Sequence, residues 1–447
     1  MKIEKRWIVS FMVISIISIA GVFWPGFENF ANDGEFLSED SIVGADVAWI
    51  LAAAGLVLLM TPGLSFFYGG MVGKKNVIST MLQSFIALGV ISILWVVVGF
   101  SLSFGESLGL TIDGEHYGLI GNPLSYPFFT NVGILPHNTM ASTIPFILFA
   151  LFQMKFAVIT PALITGSFAE RVRFIAYLIF MVLFSLIIYT PLCHMVWHPE
   201  GLLNKFFGVK DFAGGTVVHM SAGFAALAGA LVLGRRKNPQ HEPSNIPYVI
   251  LGTGMLWFGW FGFNAGSALG ANATAAMAFG TTTIASASAM MTWIFFDRIN
   301  GRKISALGAC IGAVVGLVAI TPAAGFVSIS ESLFFGFAAA IVSNSLLNWK
   351  RLKKIDDTLD VFACHGVGGM MGMILTAVFA HGENASLLHG GFGVFAHHIT
   401  ALVFVSVFTF FGSLLLYKIT DSIIPLRVAE ESENIGLDIS QHNESIC

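Results

Sequence analysis

Two histidines stand inside apolar runs, where a titratable ring is costly to place. His219 follows Asp211 by eight positions in "DFAGGTVVHMSAGFAALAGALVLGRR" (211–236), and His365 follows Asp360 in "DVFACHGVGG" (360–369). A neutral imidazole carries one donor and one acceptor nitrogen, so two such rings can hydrogen-bond each other or pass a proton along. Each aspartate opens an apolar run and can cap its free amides. The plain alternative for either ring is a hydrogen bond to a neighbouring carbonyl. His194 and His198, at i and i+4, could grip a metal. Met195 occupies the glutamate position of a zinc-protease motif, however, so a structural or rim role is expected and no metal. "HGVGGMMG" (365–372) has glycines like a phosphate loop but no preceding strand, which favours close helix packing. Cys193, Cys310, Cys364 and Cys447 form no CxxC pair. They read as buried small hydrophobes and a tail thiol, without disulfide, metal or cofactor.

The elements that position these residues are membrane helices. The chain has 447 residues, 55% hydrophobic and only 11% charged, with a mean hydropathy of +0.80. Soluble domains carry about 25% charge. No basic run or aromatic-basic module points to nucleic acid. Apolar stretches near 7–24, 45–68, 77–103, 141–167, 174–196, 215–234, 247–267, 272–296, 304–321, 331–348, 361–380 and 391–417 approach the ~20 residues a spanning helix needs. Lysines and arginines fix the topology. Only Lys205 and Lys210 fall in one set of connections and Lys155 inside a span; the rest of the 22 lie in the other set. That rich set is read as cytoplasmic, together with the C-terminal tail.

The start "MKIEKRWIVSFMVISIISIAG" fits a signal peptide ending near Ser18-Ile19-Ala20, or an uncleaved extra span. We follow removal, giving four parts. Residues 1–24 are the signal peptide or added span, and 25–44 an outer acidic segment. Residues 45–417 form the membrane domain and 418–447 the cytoplasmic tail. The fold class is an all-α polytopic membrane protein of eleven transmembrane helices. "VITPALITG" (158–166) echoes "AITPAAGF" (319–326), as "DFAGGTVVH" echoes "DVFACHG", five spans apart. Such matches imply two inverted five-helix repeats around a pore, with the site near the midplane. The rings arrive from opposite faces, so they meet only if their helix starts dip inward or tilt. His381, His389, His397 and His398 read as solvated.

The motif 211–236 resembles the signature of the ammonium transporter (Amt/Mep/Rh) family. So do "FAVITPALITGSFAERVRF" (156–174), "CHMVW" (193–197), "WFGFNAGS" (260–267) and "DVFACHGVGG". The tail "LRVAEESENIGLDIS" (426–440) is similar to the Amt branch, and the likeness runs from about residue 45 to 440. It implies a transporter, not an enzyme, in the cell (inner, cytoplasmic) membrane. Three identical subunits would each hold a pore for ammonium, ammonia and methylammonium. Carried over by motif, ammonium is recruited at Trp197, Phe152 and Ser267, with Asp211 acting through its field and cap. Phe156 and Phe263 form the gate, and His219 and His365 line the pore. Ammonium would lose its proton and cross as ammonia, with the proton following separately. The family also implies a cytosolic P-II regulatory protein as a partner, with the 235–245 loop and the tail as contacts. A sensor with the same fold and a neutral ammonia channel stand as alternatives. Lys155 departs from the family pattern, and its neighbour Phe156 sets the expectation that it faces away from the pore.

Overall fold

The computed structural model describes residues 5–24, 35–239, 242–349, 354–382 and 385–446. The first ten residues of the expected acidic segment, and Cys447, lie outside them. Helices dominate because almost every long apolar run must satisfy its own backbone away from water. In chain order they are α1 (Lys5–Phe23), α2 (Gly44–Met71), α3 (Lys74–Phe104), α4 (Phe146–Ser167), α5 (Phe174–Trp197), α6 (Gly215–Leu233) and α7 (Ile246–Gly266). There follow α8 (Ala273–Ile299), α9 (Ala306–Ile320), α10 (Ile329–Leu347), α11 (Phe362–Phe379) and α12 (Phe392–Ile423).

Nine of these, among the described residues, are long and apolar enough to cross a membrane: α2 to α7 and α10 to α12. The chain is a multi-pass membrane protein. Two expected spans depart from the criterion for separate reasons. α8 has 27 residues but is rich in Ala, Thr and Ser and ends in Asp297-Arg298, which dilutes its hydropathy. α9 is apolar but only 15 residues long. The two pack against each other and against α10. α1 is exposed along most of its described length. Its end touches the rest of the protein through Trp24, whose Nε1 donates to Thr130 Oγ1 at 2.7 Å.

The loop after α3 folds into an antiparallel hairpin, β1 (Ser107–Ile112) and β2 (Glu115–Gly121). Asp113 and Gly114 turn it with φ of 51° and 83°. Positive φ at both central residues gives the twist that two-residue hairpins favour. The opposite face carries the tail. Arg236 is buried there between Glu170 and Asp356, each at 2.8 Å. The tail pairs Arg427 with Glu433 and then reaches across to two helix starts. Asp438 accepts from Ile78 N and Ser79 N of α3 at 3.1 and 2.8 Å. Gln441 Oε1 accepts from Phe174 N of α5 at 2.8 Å. Replacing Asp438 with Ala is expected to lower stability by about 0.5–2 kcal/mol, as loss of a cap does, read as a lower Tm in detergent.

Candidate functional site

α6 and α11 begin below the surface. The segments that feed them, Asp211 to Gly214 and Leu359 to Val361, are largely buried, so both helix starts dip inward. Each opens with a π-helical turn, Gly215–Met220 and Phe362–Val367, and each turn carries a histidine. The two helices meet where Gly223 lies against Gly366. A Cβ on Gly223 would sit 2.1 Å from Gly366 N, a separation only paired glycines allow. Gly369 and Gly372 likewise press on Gly215 O and Ala319 O.

This approach brings His219 Nδ1 and His365 Nδ1 to 3.4 Å, with both rings buried. Whichever nitrogen donates, one ring is left with an Nε2–H and the other with a bare Nε2 lone pair. His219 Nε2 has no partner in the protein. His219 stacks on Trp260 at 5.3 Å and Phe263 at 5.9 Å. The cavity beside the rings has a volume of about 10 Å³, room for about one water-sized molecule. Met60, Leu64, Ile159, Leu163 and Val314 make much of the remaining wall. Trp260 spends its donor on Thr321 Oγ1 at 2.9 Å, so the imidazoles supply the cavity's polar atoms.

Phe156 and Phe263 lie above the rings, their centroids 4.3 Å apart and both fully buried. On the hairpin side of that pair is a vestibule of about 200 Å³, lined among others by Trp197, Phe156, Ser267, Gln153 and Phe212. Ser267 donates its hydroxyl proton to Phe263 O at 2.8 Å, leaving its oxygen to accept. Phe152 is not among the lining residues. It is fully buried, edge-on to Phe156 at 5.0 Å. Lys155, half-buried, is also absent from that lining among the described residues.

Asp211 is saturated. Its Oδ1 accepts from Gly214 N and Gly215 N at 2.8 and 2.6 Å. Its Oδ2 accepts from Thr216 N at 2.7 Å and from the Thr216 hydroxyl. Its carbonyl accepts from Trp197 Nε1 at 3.1 Å, so the cap and the vestibule ring are one unit.

The expectation that Asp360 caps α11 is corrected. Asp360 has φ of 59° and serves as the left-handed residue before the helix. The cap is Asp357, whose Oδ2 accepts from Phe362 N at 2.7 Å. The offsets match the other helix: cap, then a positive-φ residue three on (Gly214, φ 117°), then the capped amide five on. Sequence held a signal for this, since Asp357 precedes His365 by the same eight residues that separate Asp211 from His219.

A wider antechamber of about 620 Å³ adjoins the vestibule and shares Phe104, Thr139, Met140 and Pro199 with it. Glu35, Glu106 and Glu200 line it, with His137 and His198. No lysine or arginine lines it among the described residues. Burial pushes both histidines down to about 4, so at neutral pH they leave the carboxylate charge uncancelled. His194 and His198 stack at 4.3 Å and are bonded by Ser107 Oγ at 2.7 and 3.3 Å. No group of three potential metal ligands occurs among the described residues. Of the histidines expected to be solvated, His398 is buried and accepts from Lys210 N at 2.9 Å. Sequence reasoning missed this antechamber, the hairpin over it and Gln153, an amide in an apolar run whose Oε1 has no partner.

The ammonium transporter family model matches residues 48–446. An ammonium transporter of Aquifex aeolicus is 40% identical over 433 residues, 96% of this chain and 98% of that protein. The solved structure of Saccharomyces cerevisiae Mep2 aligns with a TM-score of 0.81 at 31% identity, covering 90% of this chain and 94% of the other. That of a sensor Amt protein aligns at 0.81 and 29% identity, covering 91% and 100%. The chain belongs to the ammonium transporter family.

Proposed function

We propose that this ammonium transporter recruits ammonium on the hairpin side, strips its proton and conducts ammonia past the histidine pair, the proton crossing separately. The observation that carries the reading is the 3.4 Å His219–His365 contact in an apolar conduit beneath the closed Phe156–Phe263 pair. An ion loses several kcal/mol on entering such a lining even after relaxation. Ammonium escapes that cost by leaving its proton behind. K⁺ has none to leave. The carboxylates of the antechamber raise the local cation concentration. Ring faces at Trp197 and Phe156 then attract the cation, and Ser267 accepts from its N–H. Phe152 supports Phe156 in this role, and Asp211 fixes Trp197 while lending its field.

In the same reading α8 and α9 complete eleven spans, arranged as two inverted five-helix repeats. The matched offsets at Asp211–His219 and Asp357–His365 support that arrangement. The hairpin faces outward and the tail lies in the cytoplasm, as the lysine and arginine pattern requires. Residues 1–24 are a signal peptide, which fits the sparse contacts of α1. Three copies assemble in the cytoplasmic membrane, and a P-II protein docks on the tail side. These last two features rest on the family resemblance.

Current recording in reconstituted bilayers tests the function, stepping ammonium, methylammonium and K⁺ in turn. Current with the first two alone is expected. Silence with ammonia flux intact by a pH dye would make the protein a neutral-gas channel. Substituting Trp197 with Leu removes a cation–π contact of about 0.5–2 kcal/mol, so half-saturation should rise about 2- to 30-fold while the maximal current changes less.

A further inference from the structure

Three buried polar atoms on the tail side have no hydrogen-bond partner: Asp357 Oδ1, Ser167 Oγ and Arg171 Nε. They belong to one junction, where α4 ends and α11 begins. Thr358 N donates to Ser167 O at 3.1 Å, and Arg171 Nη2 donates to the same oxygen at 3.1 Å. Arg171 Nη1 holds Thr358 Oγ1 at 2.6 Å. Unmet polar atoms this deep call for an occupant or a function, and a carboxylate, a hydroxyl and an N–H together suit a water molecule with a mobile proton.

The place is the inner counterpart of Asp211, with one difference. Asp211 has both oxygens filled, whereas Asp357 uses Oδ2 for its cap and keeps Oδ1 free. Tyr68 touches both this junction and the wall of the conduit. Tyr68 donates to the carbonyl of Leu163, a wall residue, at 2.9 Å. Tyr68 and Val361 both crowd Gly166, and Leu359 N donates to Gly166 O at 3.0 Å.

We propose that Asp357, with Ser167 and Arg171, is the inner proton station of the transporter. The inference rests on the proton-carrying reading above. The proton shed by ammonium passes through the imidazoles and a bridging water to the Asp357 carboxylate, forming an O–H bond. Ammonia leaving the conduit takes it: the O–H breaks, an N–H forms, ammonium enters the cytosol and the carboxylate is restored. Burial pushes this carboxyl up to about 6, against the pull of the Phe362 and Val361 amides and of Arg171. A group titrating there can both accept and release a proton near neutral pH. Of the charges around it, Asp356 is committed to Arg236 and works against ionisation of Asp357, and Tyr68 and Cys364 also face it.

The test is ammonium-driven current in proteoliposomes, with ammonia flux followed in parallel by an internal pH dye. Asp357→Asn keeps an oxygen for Phe362 N but holds no proton. Its current should fall about tenfold or more with ammonia flux retained, and the bend of the wild-type current near internal pH 6 should vanish. Asp357→Glu should restore both. Ser167→Ala, which removes an unbonded hydroxyl, should lower the current by a smaller factor and is available if the first variant folds poorly. Wild-type current and pH profile in both Asp357→Asn and Ser167→Ala would overturn the station alone. Absence of ammonium current in the wild type would overturn the proton-carrying reading and the station together.

Discussion

Replacing His219 with alanine is expected to cut ammonium-driven current by about a hundredfold or more, with K⁺ still excluded. The ring supplies half of the 3.4 Å Nδ1–Nδ1 contact, and without it His365 has no ring from which to receive a proton. The wall of Met60, Leu64 and Leu163 stays in place, so the solvation barrier to a bare ion stands. Full current with K⁺ excluded in this variant would rule out an obligatory imidazole relay. Fluorescence of a pH-sensitive dye separates the proton from its carrier: ammonia flux should fall far less than charge.

The second large effect is expected from a single methyl group. In Gly223→Ala the new Cβ would lie 2.1 Å from Gly366 N and 2.2 Å from its Cα. Both are backbone atoms and cannot swing aside, so α6 and α11 must move apart by about an ångström, at about 1–3 kcal/mol for overpacking. The histidine contact is already at the long end of hydrogen bonding and would open. We expect a lower Tm and current near background. Gly254→Ala, where a Cβ meets nothing within 4 Å, should behave as wild type. Equal behaviour of the two variants would mean that the glycine contact does not set the ring separation.

Hydropathy made nine spans legible among the described residues, because it reports the solvent rather than the packing. The ends of the motif-bearing helices were less so. The histidine turns are π-helical, a state that apolar period does not encode, and the left-handed residue before α11 displaced the cap from Asp360 to Asp357. α8 was read as a span from its apolar run, in which Ala, Thr and Ser dilute the hydropathy and supply most of the helix's buried contacts. The hairpin had a written signal, Asp113-Gly114 between alternating residues, which the surrounding membrane pattern obscured. His219 lies beside His365, and Phe156 beside Phe263. Phe152 took a place behind the lining. The antechamber stayed hidden because its carboxylates come from three separate segments that only folding joins.

The tail's docking bears on how the protein is made. Asn76 Oδ1 accepts from Leu437 N at 2.8 Å, and the amides of Ile78, Ser79 and Phe174 wait for Asp438 and Gln441. Those amides open early helices, inserted while the ribosome is still hundreds of residues from the codons that complete them. A nascent chain therefore carries this face open through most of the membrane domain's synthesis and closes it only once residues 437–441 have emerged.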